Sequence, residues 1–423
     1  MINKGYTMRY DLATNFDPEL ITDVRKIDTK HQIGTVFGKL RKDIIGGGRA
    51  SMALPQLSIK TLQNYVDLCH KNDLKFNYLI NSACLGNREF GPRTHKKIVK
   101  YIDMLCQIGV DGVTVNSPFL CELIRKQFPN LHITIGIGAY VFNCKHIRYW
   151  EELGADELTL THAVNRNFRL LEEMLQFTKN RKISVRIIAN NICLHECPYK
   201  MSHSSSQAHA SQKGSISSNV HIDYNLLSCS TRKVKNPENL ISSEWIRPED
   251  VHYYEELCNK VGNNKLTIKL LERTKNTEFL ARVVKAYIEE SYDGNLLDIV
   301  GWPSAKETKE IHKFSIGLGT IFNRFNIKEI KKYYETYNLP NIKIDNKKLE
   351  GFMEKFYKDS DCFGKICGRS EDVGNNDNRY CFYCLNWAKK CISYDKEEVD
   401  EWIKKSNYVL ESLRSSRFFT KNA

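Results

Sequence analysis

The chain has 423 residues and a mass of 49.1 kDa, room for a large barrel plus a smaller module, or for two to three ordinary domains. Hydrophobic residues make up 41% and charged residues 27%, which excludes whole-chain disorder. The longest apolar-looking stretch, Leu131 to Phe142, is shorter than the about 20 residues a bilayer requires, so no membrane partner is expected. Met1 to Phe16 has no apolar core of a secretory signal, and the expected location is cytoplasmic. Sixty-three basic against fifty acidic residues give a net charge of +13. The lysines are scattered among glutamates without a long basic run, so charge alone argues only weakly for a nucleic-acid partner.

From about residue 33 to 300, short apolar runs alternate with amphipathic helical patterns. Candidate strands are Gly34–Phe37, Phe76–Ile80, Gly112–Val115, Ile133–Ile137, Glu157–Leu160, Ser184–Ile188 and Leu266–Leu271. The stretches "IGVDGVTV" and "ELGADELTL" each read as a helix end, a glycine turn, an acidic residue and a strand. This order predicts an α/β chain with a (β/α)₈ TIM-barrel-like domain over residues 1–305. An open doubly wound sheet is the alternative, but no Gly-rich dinucleotide fingerprint follows the first candidate strand. Ser202 to Asn219 is Ser-rich and predicts an extended loop. Beyond a boundary near residue 305, Lys328–Tyr337 and Leu349–Tyr357 read as helices of a Cys-rich C-terminal metal-binding module, residues 306–423.

Fourteen cysteines in a cytoplasmic chain argue for metal or redox chemistry over disulfides. Cys69, Cys106, Cys121 and Cys258 sit in helical apolar contexts and read as core. Cys193 and Cys197 in "NNICLHECPYKMSH" follow a strand, where a barrel builds its active site, and can grip a soft metal centre. Cys84 in "NSACLGNREF" and Cys229 in "LLSCSTRK" are candidate further ligands. His195, His203 and His209 admit a mixed Cys/His zinc site, although solvated loop histidines explain them as well. In the tail, Cys362, Cys367, Cys381 and Cys384 are spaced C-x4-C-x13-C-x2-C, the arrangement of a four-thiolate knuckle. Spacing does not choose between zinc and an iron–sulfur cluster there, and Cys391 is a spare thiol.

Lys269, Glu272 and Arg273 fall where "LTIKLLER" leaves its strand, and are candidates for proton handling and anion binding. An ion-pair network closing the barrel explains them equally well. "IGGGRAS" can offer backbone N–H groups to an anion, with Arg49 beside it. Asn81 and Asn165 are candidate substrate contacts, although "NRNF" also fits a cap for the helix that begins at Asn167.

Together "FNYLINSACLGNREF", the Cys193/Cys197 loop, "WIRPED" and "KLLERTKNTEFLARVVKAY" resemble peptidase family U32, the collagenase-like peptidases, over roughly residues 33 to 300. Lys269, Glu272 and Arg273 match the "KIEGR" signature, with departures: Leu271-Glu272-Arg273 carries Leu where an acidic residue is common, and the Cys-rich stretch is shortened to "CLHECP". These mark a divergent branch. The resemblance implies a barrel and, in its better understood members, an oxygen-labile 4Fe-4S cluster held by four cysteines. Those members act in oxygen-independent hydroxylation of RNA bases or the ubiquinone ring, with prephenate implicated as oxygen donor. The expected protein is thus an iron–sulfur modifying enzyme acting on RNA, a small aromatic molecule or a peptide, with a partner protein compatible. A zinc-dependent hydrolase or peptidase is the first alternative, and a metal-stabilised RNA- or peptide-binding module without activity is the second.

Overall fold

The computed structural model describes residues 6–49, 54–214, 222–302, 326–359, 362, 365–374 and 376–420. Eight strands close into a parallel barrel in sequence order: β1 (Arg9–Ala13), β2 (Ile33–Gly38), β3 (Lys75–Leu79), β4 (Gly112–Val115), β5 (His132–Ile135), β6 (Glu157–Thr159), β7 (Ser184–Ile188) and β8 (Leu266–Leu270). The ring closes by pairing β1 with β8, Asp11 opposite Lys269. This is the expected (β/α)₈ barrel.

Both repeated stretches are built as their sequences indicate. Gly109 and Gly154 take left-handed turns (φ +85 and +97) after their helices, and the acidic residue then accepts a backbone N–H from a neighbouring strand. Asp111 accepts from Phe76 N at 2.7 Å, and Asp156 from Ile133 N at 2.8 Å.

Two expectations need revision. The barrel has one strand more than the sequence alternation marks, β1, whose apolar run is interrupted by Asp11. That residue faces a polar barrel interior. Arg186 Nη1 lies 2.5 Å from Asp11 Oδ2 and 3.1 Å from Glu157 Oε2, and its Nη2 donates to Thr159 Oγ1 at 3.0 Å. Thr134 donates to Glu157 as well, and Thr114 donates to Asn77. The Ser-rich stretch is also not a loop over its described part: Lys200–Ala210 is a helix, and residues 215–221 lie outside the described residues. Burial of Gln207, Ala208 and Ala210 overrides the weak helical preference of serine.

The boundary near residue 305 falls outside the described residues. Beyond it, helices Ile327–Glu335, Tyr383–Cys391 and Lys396–Arg414 are joined by short strands. Strand β9 (Ile342–Ile344) pairs antiparallel with β12 (Ile392–Tyr394), and β10 (Ile366–Cys367) pairs parallel with β11 (Tyr380–Cys381). Ile342, Ile344, Phe352, Met353, Phe356 and Trp402 belong to the same apolar cluster as the barrel's Trp245 and Tyr254. Cys69, Cys121 and Cys258 are buried core thiols, as their contexts predict, and Cys106 is half-buried. No helix among the described residues is long and apolar enough to cross a membrane.

Candidate functional site at the barrel mouth

The C-terminal ends of the strands form the mouth. Asn190, just beyond β7, clamps the exits of β7 and β8 together: its Nδ2 donates to Leu271 O and its Oδ1 accepts from Leu271 N, both at 2.6 Å. The Cys193/Cys197 loop is thereby held beside Glu272 and Arg273. Glu196, between the two cysteines, and Tyr140, from the rim after β5, both take left-handed backbone conformations (φ +46 and +53). Non-glycine residues rarely hold that conformation, which concentrates at functional sites.

Three of the predicted thiols converge. Cys193 and Cys197 act electrostatically on each other and on Cys229, and the Lys233 ammonium acts on all three. Cys229 and Lys233 arrive on the helix Tyr224–Lys235, which packs on the tail helix Lys396–Arg414 and whose cap Asp223 donates its backbone N–H to Tyr333 Oη at 2.6 Å. Part of Cys193 reaches solvent, yet its thiol is densely surrounded. Burial alone would push that thiol up. The neighbouring His162 imidazole and the Lys233 ammonium outweigh burial and bring it down to about 6. Burial pushes Cys229 up to about 11.

That contrast is testable on metal-free protein. A thiol titrating near 6 is thiolate above that pH, so alkylation of Cys193 should reach half its maximal rate near pH 6, far below the ordinary thiol range. His162→Ala should move the midpoint upward by more than a unit in mass-spectrometric labelling. An unmoved midpoint would show that His162 does not set it.

Cys84 does not join the three. It follows β3, four strands away from β7 in a ring of eight, and so stands across the mouth. Its sulfur accepts from Gly86 N at 3.3 Å and its carbonyl from Ser82 and Gln212. The mixed site of three histidines is not assembled either. His195 Nδ1 pairs with Glu244 at 2.6 Å, His203 Nε2 with Asp223 at 3.0 Å, and His209 closes the helix that His203 opens.

The charged rim differs from its expected pairing. Glu272 binds Arg49, which reaches across from the loop after β2. Arg273, the next residue, feels both members of that pair, and beyond them Lys39, Asp43 and Tyr78. It is 7% exposed, and its Nη1 has no hydrogen-bond partner among the described residues. Burial, with Arg49 as a like charge, lowers its guanidinium to about 9. Lys269 is not on the rim. It points into the barrel below the mouth, Nζ 3.8 Å from the Phe37 ring centroid, and burial drives its ammonium well below the usual range.

The glycine run is not an open anion nest. Gly46 N donates to Asp43, Gly47 N to Ser211 at 2.8 Å and Gly48 N to Asn81 at 3.3 Å. Gly46 is required there: at φ +85, an added Cβ would lie 2.9 Å from Ala208 O. Asn81 thus supports the Arg49 loop. Asn165 is buried and holds backbone: its Nδ2 donates to Ile188 O and Glu244 O, both at 2.7 Å. Asn167 caps the helix Phe168–Thr178, accepting from Leu170 N at 3.1 Å, as its context predicts.

The tail quartet gathers as a second group. Cys367 and Cys381 face each other across β10 and β11, Cys384 lies in the first turn of the helix Tyr383–Cys391, and Cys362 is their electrostatic neighbour. Cys362, Cys367 and Cys384 line one cavity with Arg166, His195 and Glu244. Among the described residues, the ligand-type side chains whose donor atoms all lie within 4.8 Å of one another are His195, Glu196 and Glu244.

Sequence reasoning missed His162, Asn191, Lys233, Tyr140 and Arg166. His162 carried a usable signal, since it follows β6, the neighbour of β7, at the rim. Lys233 did not, because only the fold of the helix Tyr224–Lys235 brings it to the thiols.

An uncharacterized protease of Methanocaldococcus jannaschii is 28% identical over 350 residues, 83% of this chain and 86% of that protein. The tRNA hydroxylation protein P of Haemophilus influenzae is 20% identical over 158 residues, 36% of this chain and 32% of that one. A solved U32 peptidase aligns with a TM-score of 0.45 and 18% identity, covering 64% of this chain and 96% of that chain. The sequence profile of peptidase family U32 matches residues 45–296, more than half the chain, from the loop that carries Arg49 through the helix after β8. A closed parallel barrel with its thiols and charged rim inside that matched span therefore belongs to peptidase family U32.

Proposed function

We propose that the chain is an iron–sulfur enzyme that modifies RNA by oxygen-independent hydroxylation, with its centre held by Cys193, Cys197 and Cys229. The observation that carries this reading is the convergence of three thiols at the mouth, one of them favoured as thiolate by His162 and Lys233. The donor set fits such a group: it is all sulfur, which suits iron–sulfur clusters and zinc over harder ions. These three thiols do not all lie within 4.8 Å of one another, whereas zinc–sulfur bonds of about 2.3 Å place tetrahedral ligands about 3.8 Å apart. Sulfurs that bind separate irons of a cluster stand wider. The tRNA hydroxylation protein P and the net charge of +13 support RNA over a small aromatic molecule or a peptide.

Held by those three thiolates, such a cluster would supply Lewis-acid and redox chemistry at the mouth. The chain's own residues then have defined tasks. His162 and Lys233 keep Cys193 ionised for ligation. Arg273, with an unused donor, and Arg49, steered by Glu272, bind an anion: a phosphate of the RNA or the carboxylate of an oxygen donor. Tyr140 remains a neutral phenol, its ionisation opposed by burial and the nearby thiols, and so presents a donor to the mouth. Lys200 lies over its ring at 4.5 Å.

Anaerobic purification followed by iron and sulfide analysis tests the centre. Wild-type protein should be brown and air-sensitive, and Cys193→Ala/Cys197→Ala should lose the iron that the mouth holds. Unchanged iron in that variant would sink the assignment. One observation favours a second reading, a zinc hydrolase: His195, Glu196 and Glu244 form a His/carboxylate set of the type that catalytic zinc uses. A colourless protein whose zinc disappears in Glu244→Gln would establish that reading instead.

A further inference from the structure

The tail thiols form a group separate from the mouth, and three features describe what it can hold. First, all four ligands are supplied by the chain, and three of them are fixed by local structure. Cys367 and Cys381 are directly opposed in a parallel strand pair, with Gly368 N bonded to Cys381 O at 2.8 Å, and Cys384 follows on the first turn of a nine-residue helix. Second, the sulfurs are near one another but not contracted: no three of them lie within 4.8 Å, although the spacing a single tetrahedral zinc imposes is about 3.8 Å.

Third, a cation with an unused donor faces them. Arg166 comes from the rim after β6 and is 5% exposed. Its guanidinium lies over the rings of both Trp245, at 4.6 Å, and Phe352, at 4.8 Å, and Nη1 and Nη2 donate to Ile241 O and Trp245 O. Nε is buried without a partner. The same side chain lines the cavity of Cys362, Cys367 and Cys384 and acts electrostatically on all three. A buried donor that lacks an acceptor costs about 1–3 kcal/mol unless something satisfies it. The sulfurs of a metal cluster are acceptors of the right kind, and such outer hydrogen bonds tune a cluster's potential.

We propose that Cys362, Cys367, Cys381 and Cys384 hold a second iron–sulfur cluster, closed to substrate, with the Arg166 guanidinium as its hydrogen-bonding partner in the barrel. The proposal does not rest on the reading of the mouth. It places the two centres side by side: His195 stands between Cys193 and Cys197 in the chain and pairs with Glu244, which acts electrostatically on Cys362 and Cys367. Four protein thiolates leave no open iron position, so this centre binds no substrate.

Iron, sulfide and zinc are measured in full-length protein purified anaerobically: wild type, Cys193→Ala/Cys197→Ala and Cys381→Ser/Cys384→Ser. The expected result is a Cys193→Ala/Cys197→Ala protein that keeps about half of the wild-type iron together with a cluster signal in electron paramagnetic resonance after reduction. Equal iron in that variant and wild type would still support the tail cluster while removing the mouth cluster. A Cys193→Ala/Cys197→Ala protein without iron, or with zinc in its place, overturns the proposal, and neither result depends on the tail variant folding. Arg166→Lys keeps the charge and removes Nε. The midpoint potential of the remaining cluster should fall in a Cys193→Ala/Cys197→Ala/Arg166→Lys protein, and an unshifted potential would refute the role given to Arg166.

Discussion

Replacing Arg186 with Ala is expected to destabilise the fold by about 3–5 kcal/mol, the range for removing one partner of a buried ion group. Arg186 is 1% exposed and its guanidinium sits between the carboxylates of Asp11 and Glu157 inside the barrel. Truncation leaves both carboxylates without the charge that compensates them, in a space that no bulk water reaches. Burial already raises the Asp11 carboxyl despite Arg186, so without the arginine it would take up a proton. The measurement is the urea midpoint of wild type and variant at neutral pH with the slopes compared, since a changed slope would mean a changed end state. Replacing all three residues by apolar ones of similar volume, Arg186→Met with Asp11→Leu and Glu157→Leu, should recover most of the loss. A loss below about 1 kcal/mol in the single variant would mean that water enters the barrel and screens the layer.

Arg273→Lys is expected to leave the fold and iron content intact and to lower turnover by roughly 10²-fold, a loss typical of a misplaced substrate-positioning group. The partner arrangement sharpens this expectation. Glu272 is committed to Arg49, so Arg273 is the guanidinium with a donor to spare, and Lys would keep its charge without its planar fork. The readout is mass spectrometry of nucleosides digested from the transfer RNA of cells in which the variant is the only copy. A modification that disappears with the gene deletion should also disappear with Arg273→Lys. Undiminished modification at normal protein abundance would show that Arg273 closes the barrel and does no more.

The fold was legible where a helix end, a glycine turn and an acidic residue announce the strand, as before Gly112–Val115 and Glu157–Thr159. It was hidden at β1, where an inward Asp11 interrupts the run, because a polar barrel interior gives a short strand the look of a loop. The helix Lys200–Ala210 was hidden for the opposite reason: local preference pointed away from a helix that tertiary burial imposes. At the site, residue type and place after a strand put Cys193, Cys197 and Arg273 at the mouth of the barrel, where they stand in the structure. Angular position around the ring could not be read. Cys84 therefore looked like a ligand though β3 exits across from β7, and Glu272 looked like the partner of its neighbour though Arg49 reaches it from two strands away. The tail thiols were found by spacing alone, whereas Arg166, which faces them, comes from a part of the chain some two hundred residues earlier.

The apolar cluster shared by barrel and tail has a consequence for how the protein ages and is inherited. Trp245 packs tilted against Phe352 with ring centroids 5.3 Å apart, and Arg166 lies over both rings, so the seam between the two segments is continuous with the barrel's apolar core. A chain cut short after the barrel would carry that seam as a greasy scar, with an arginine stripped of half its cage. Its fate would be decided by chaperones and proteases before any substrate met the mouth. Shuffling the barrel onto another tail is thus no neutral exchange. A new partner would have to bring aromatic rings to the same arginine, which ties the ancestry of the Cys-rich segment to that of the barrel it covers.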